Sequence, residues 1–134
     1  MQIQELVKQA HDQARSKGWW TDDNGKEVDR NPLELQMLIV SEIAEACEEA
    51  RKGRPAVYFN TPTGQVSMND LGGSMNLSVG ETLQKPEGEL IELADAVIRI
   101  ADYCGKRGWD LEQAIKSKLE FNQTRPARHG GKLY

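Results

Sequence analysis

Two short acidic patterns, each one helical turn long and set among apolar residues, constrain this chain more than anything else in it. "IVSEIAEACEEA" (residues 39–50) places Glu42, Glu45, Glu48 and Glu49 among Ile43, Ala44, Ala46, Cys47 and Ala50. At about 100° per residue, Glu42, Glu45 and Glu49 fall on one stripe of a helix. Like charges at i,i+3 and i,i+4 repel by roughly a few tenths of a kcal/mol per pair. A helix that only needed to be solvated would mix in lysines. The second pattern lies in "GELIELADAVIRIADYCGKRG" (88–108). There Leu90, Leu93, Ala94, Val97, Ile100, Ala101 and Cys104 share a broad apolar face. Glu92, Asp95, Arg99 and Asp102 lie opposite, flanked by Ile91 and Ile98. A helix apolar around most of its circumference is expected to be buried on more than one side, and a carboxylate pair set in it needs a partner.

Glu42-x-x-Glu45 and Glu92-x-x-Asp95 on two facing helices would gather four carboxylates around one small volume. Such a cluster calls for hard divalent cations with oxygen ligands, Mg²⁺ above all, with Mn²⁺ as a substitute. A di-iron centre would want Glu-x-x-His on two helices. The two histidines, His11 and His129, do not follow a glutamate at that spacing. Spacing alone leaves open the plainer alternative of a solvated acidic face.

The 134 residues fit one domain spanning 1–134. With 38% hydrophobic and 6% aromatic residues, a monomer would have a modest core, which contacts between copies would extend. A net charge of −4 without a dominant basic run argues against a general nucleic-acid binder, which needs an electropositive face. No apolar run approaches the ~20 residues of a membrane span. Cys47 and Cys104 both sit within predicted helices and read as small core residues. With no secretory signal evident, a reduced, cytoplasmic setting is expected.

Helical periodicity predicts four helices: 2–17, 32–52, 87–106 and 111–123. Asn31 before Pro32 is a good helix start, and Asp110 is placed to cap the fourth helix. Residues 54–87, between the two acidic helices, hold three of the five prolines and read as an inserted loop or small hairpin. "AVYF" is a candidate strand, and a structureless loop of this length is uncommon in a compact domain. The tail, 124–134, is basic and glycine-rich. The expected class is all-α, a four-helix bundle-like domain with that insertion.

The pieces "SEIAEACEEARKG", "KPEGELIELADAVIRIAD" and "KLEFNQTRPARHGGK", in that order, resemble the MazG-like branch of the all-α nucleoside triphosphate pyrophosphohydrolases. "KGWW" ahead of the second helix fits as well. The resemblance covers most of the chain outside residues 54–84. It implies a MazG-type fold, with Glu42, Glu45, Glu92 and Asp95 as Mg²⁺ ligands. The implied reaction hydrolyses a (deoxy)nucleoside triphosphate between the α and β phosphates, giving monophosphate and pyrophosphate. It also implies a homo-oligomer, a tetramer before a dimer. Among enzymes the alternative is a phosphoribosyl-ATP pyrophosphohydrolase. Outside enzymes it is a helical interaction module that keeps the fold without turnover.

Within that implied chemistry, Glu45 is the candidate to take a proton from the attacking water. Glu49 extends the same stripe, either as an outer acid or as an exposed helix-end residue. Lys118 and Asn122, at i,i+4, and Arg125 just past the helix form a late basic group for the substrate phosphates. Without the resemblance they read as surface and capping residues. Arg128, His129 and Lys132 either close over the triphosphate or belong to a mobile tail. Of the adjacent Trp19 and Trp20, one is expected in a core or interface. The other would stack on the base, with Trp20 taken as the substrate-contacting candidate. Trp109 is expected to pack at the start of the last helix, and His11 to be a plain polar position.

Overall fold

The computed structural model describes residues 2–126; Arg128, His129 and Lys132 lie outside the described residues. The chain is mostly helical. In order it runs α1 (Ile3–Ser16), α2 (Pro32–Arg51), β1 (Tyr58–Thr61), β2 (Gly64–Ser67), a short 3₁₀ turn (Asn69–Leu71), β3 (Ser78–Val79), β4 (Thr82–Leu83), α3 (Glu89–Arg107) and α4 (Leu111–Gln123). The helix starts follow the capping chemistry in the sequence. Asn31 Oδ1 accepts the Leu33 N–H at 2.9 Å, with Pro32 in the first turn. Asp110 Oδ1 accepts the Gln113 N–H at 2.9 Å. Among the described residues no helix is long and apolar enough to cross a membrane.

The described residues divide into two compact units, the first formed by 2–26 and 101–126 and the second by 27–100. In the first unit, Val7, Ala10, Ala101 and Cys104 form a buried cluster against which Leu6 and Leu111 pack. The starts of α1 and α4 are tied crosswise. The Ile3 N–H donates to Glu112 Oε1 at 3.1 Å, and the Glu112 N–H donates to Gln4 Oε1 at 3.2 Å. Gly105 lets α1 come close, because a Cβ there would lie 2.5 Å from His11 Cβ. His11 is more than a plain polar position. Its Nδ1 bonds Asp102 Oδ1 at 2.9 Å, and the same oxygen accepts the Trp20 Nε1–H at 2.9 Å. Trp109 does not bury itself at the start of α4; it stays half exposed, edge-on to Tyr103 and under the Arg107 guanidinium.

In the second unit, the insertion is structured and supplies the core. Val57 and Phe59 are fully buried, and Tyr58 nearly so. The strand begins at Tyr58, two residues later than "AVYF" suggests. β1 and β2 pair antiparallel, with Tyr58 opposite Ser67 and Phe59 opposite Val66. β3 and β4 form a second, smaller hairpin turning at Gly80 and Glu81. The two ends of the insertion meet. Tyr58 and Glu87 exchange both backbone hydrogen bonds at 2.9 Å, and the Leu90 N–H donates to Ala56 O at 3.1 Å. Gly88, at φ +118°, is the residue that permits this closure, since a Cβ there would lie 2.3 Å from Ala56 O.

Two expectations about burial are corrected. Cys104 is a core residue, but Cys47 is exposed. The apolar face of α3 is covered only in part: Ala101 and Cys104 are buried, as is Ala96 beside that face, whereas Leu90, Leu93, Val97, Ile98 and Ile100 are exposed. One chain has too few apolar partners to cover so wide a face.

Candidate metal centre

The two acidic patterns meet in the second unit. One carboxylate oxygen from each of Glu42, Glu92 and Asp95 lies within 4.8 Å of the others. Glu42 comes from the middle of α2, and Glu92 and Asp95 come from the first turns of α3. Glu42 is the most enclosed of the three, with 8% of its surface exposed. Glu45, one turn further along α2, is exposed and stands outside this tight trio, but it is near enough to Glu92 to help raise its pKa. All four carboxylates named from spacing therefore belong to one neighbourhood, three of them in mutual ligand range.

Their crowding shows in their acidity. Burial, the carboxylates of Glu45 and Glu42 as acceptors for a protonated Glu92, and the charges of Glu45 and Asp95 push the Glu92 carboxyl up to about 7, from an ordinary 4.5. Asp95 is also raised, by burial and then by the charge of Glu42, against the opposing pull of Arg99 and Lys85. Groups that hold protons this way are short of positive charge. Oxygen-only donors on two helices fit a hard ion such as Mg²⁺. Imidazole and thiolate, which suit softer metals, do not contribute to the trio.

Two cations near the cluster were not assigned to it from the sequence. Arg99 Nε donates to Glu42 Oε1 at 2.8 Å. Lys85, at the end of the insertion, pairs with Glu87 at 3.6 Å and acts on Asp95 through its charge. Arg99 had a signal, since it stands one turn past Asp95 on the acidic side of the helix. Lys85 had none, because its position depends on how the insertion closes.

Glu49 proves to be neither an outer acid of the cluster nor an exposed helix end. Its Oε1 accepts from Arg54 Nη1 at 3.1 Å, and both its oxygens accept from Tyr58 Oη at 3.0 Å. It anchors the insertion to the end of α2. Burial and this carboxylate push the Tyr58 hydroxyl up.

Lys118, Asn122 and Arg125 belong to the first unit and are all exposed. Lys118 and Asn122 share a face of α4, and the Lys118 ammonium sits 4.9 Å from the Phe121 ring centre. Trp20 is 2% exposed, with Lys106 over its ring and His11 at its edge. That packing leaves no free face for a nucleobase and corrects the stacking assignment; Trp19, 56% exposed, is the open ring of the pair. Compared with family models, with curated proteins and with solved structures, the chain matches none.

Proposed function

We propose that the chain is a Mg²⁺-dependent nucleoside triphosphate pyrophosphohydrolase with a MazG-type helical core. The observation that carries this reading is the convergence of Glu42, Glu92 and Asp95 oxygens within 4.8 Å, from two helices, with Glu45 against Glu92. The motif order in the sequence supplies the reaction. Bound there, Mg²⁺ would provide positive charge for phosphate oxygens and lower the pKa of a bound water. Mn²⁺ would serve in its place.

The protein's own groups do the rest. Glu42, Glu92 and Asp95 would hold the ion. Glu45, exposed and at the edge of the trio, receives the proton that water gives up. One P–O bond forms to water and the P–O bond bridging the α and β phosphates breaks, releasing monophosphate and pyrophosphate. Lys118, Asn122 and Arg125 are assigned to the substrate phosphates on the resemblance alone.

We further read the chain as a homo-oligomer, a tetramer before a dimer. On α2, Leu33, Met37, Val40, Ala44 and Cys47 recur at helical spacing and are all exposed. Leu90, Leu93 and Val97 do the same on α3. Rows of exposed apolar residues such as these point to an interaction surface.

The decisive experiment incubates the purified protein with a panel of ribo- and deoxynucleoside triphosphates and Mg²⁺, with EDTA as control, and identifies the products. Monophosphate plus pyrophosphate, abolished by EDTA, is the expected result. Diphosphate plus phosphate would assign the wrong bond, and no product from any nucleotide would sink the enzyme reading.

A further inference from the structure

The cluster already contains a cation of its own. Arg99 lies on the same helical stripe as Glu92 and Asp95, at i+7 and i+4. Its Nε–H reaches across to Glu42, the most enclosed carboxylate of the trio, at 2.8 Å. Among the described residues the two outer nitrogens of its guanidinium make no hydrogen bond, and the side chain is 37% exposed. The Nε–H therefore holds Glu42 on a side chain that is partly open to solvent.

That arrangement conflicts with an ion on the same oxygen. An inner-sphere Mg²⁺ sits about 2.1 Å from its ligands, so ion and guanidinium on Glu42 Oε1 would be like charges only a few ångströms apart. Glu92 and Asp95 cannot relieve this, because they are ligands of the same ion. The flexible arginine stem can. A planar, always-charged fork released from one carboxylate is well matched to a phosphate, which it can bind through two parallel hydrogen bonds.

We propose that Arg99 is a displaceable cation. It occupies Glu42 in the metal-free protein, yields that oxygen to the incoming ion, and then binds the polyphosphate. The inference rests on the metal reading of the site given above. It adds that ion and polyphosphate bind cooperatively: the ion alone must evict Arg99, and the anion gives the evicted guanidinium a new partner. Coupling between two ligands of one site spans about 5- to 150-fold.

The test uses Mn²⁺ alone and inorganic pyrophosphate as probes, on the wild type, Arg99→Gln and Arg99→Lys. Mn²⁺ binding is followed by electron paramagnetic resonance and pyrophosphate binding by calorimetry. Arg99→Gln is expected to bind Mn²⁺ about tenfold tighter and, once loaded with Mn²⁺, to bind pyrophosphate about tenfold weaker, within that coupling range. Arg99→Lys, which keeps a point charge but loses the fork, should show both changes in the same directions at smaller size. An arginine that only braces the helices would not move the two affinities in opposite directions. Tighter Mn²⁺ binding with unchanged pyrophosphate binding would overturn the proposal, and so would Mn²⁺ binding no tighter than wild type.

A measurement on the wild type does not depend on the variants folding. In ¹⁵N-arginine-labelled protein the Arg99 Nε–H signal should be slow to exchange without metal. It should shift and exchange faster with saturating Mg²⁺, and be protected again when pyrophosphate is added. A signal indifferent to Mg²⁺, in protein that demonstrably binds it, would overturn the displacement alone. Wild-type protein that binds neither Mn²⁺ nor Mg²⁺ would remove the metal reading itself, and this inference with it.

Discussion

Glu92 carries a proton-linked signature that can be read without substrate. Its carboxyl is raised to about 7 by burial and by Glu45, Glu42 and Asp95, and the upward shift of Asp95 acts in the same direction. A carboxyl raised in the folded state favours folding most when protonated. The contribution is fully present below about 4.5 and is lost as pH rises through about 7. Metal-free protein should therefore lose thermal stability between pH 4.5 and 7.5. Saturating Mg²⁺ should restore it at the upper end, and Glu92→Gln should flatten the slope. Thermal melts across pH, with and without Mg²⁺, check all three.

Two glycines are tested at the same scale. Gly88→Ala would push a methyl carbon to 2.3 Å from Ala56 O at a backbone angle of φ +118°. Gly105→Ala would drive one to 2.5 Å from His11 Cβ and 3.2 Å from Val7 O. Overpacking of this kind typically costs about 1–3 kcal/mol, and Gly88 also carries the strain of a left-handed backbone. Urea unfolding should place Gly88→Ala as the more damaged of the two.

Among the elements, the insertion is the one whose role changed most from the sequence to the structure. Because Phe59 is fully buried, Phe59→Ala should cost about 3–5 kcal/mol and lower the melting temperature far more than alanine at the exposed Leu83. The helices were legible because each repeats apolar residues at helical spacing and opens on a capping side chain such as Asn31 or Asp110. A small hairpin in the insertion was expected, but the strand bounds and register of the two hairpins were not legible. Their strands run two to four residues, and "GQVS" lacks the alternation that marks a strand. Their pairing is fixed by contacts distant in sequence, Tyr58 with Glu87 and Glu49 with Tyr58. The site divides along the same line. The carboxylates were legible because one helical turn fixes their spacing, whereas the partner of Arg99 sits 57 positions away, and Trp20 looked available only because a sequence does not show that Asp102 holds its indole.

For the whole molecule, the exposed apolar stripes of α2 and α3 carry the oligomer prediction. Val97→Asp should dissociate the assembly at micromolar concentration, as light scattering after size exclusion would show. The melting temperature of the wild type, but not of the variant, should depend on protein concentration. Cys47 provides a second readout, since it lies on the α2 stripe and is exposed in the single chain. In the assembled protein its thiol should react slowly with a maleimide, and Val97→Asp should release it. A wild type that stays monomeric at all concentrations, with a fast-reacting Cys47, would count against the reading.

The paired backbone bonds between Tyr58 and Glu87, with Gly88 beneath them, act as a clasp. Residues beyond it, from Asn60 to Gln84, hang from a closed neck, so the separation of the helix ends on either side does not depend on what the loop contains. A chain built this way can lengthen, shorten or exchange that stretch while the carboxylates of α2 and α3 keep their spacing. Under the proposed function, it offers a cassette in which substrate choice could be rewritten without touching the carboxylate trio.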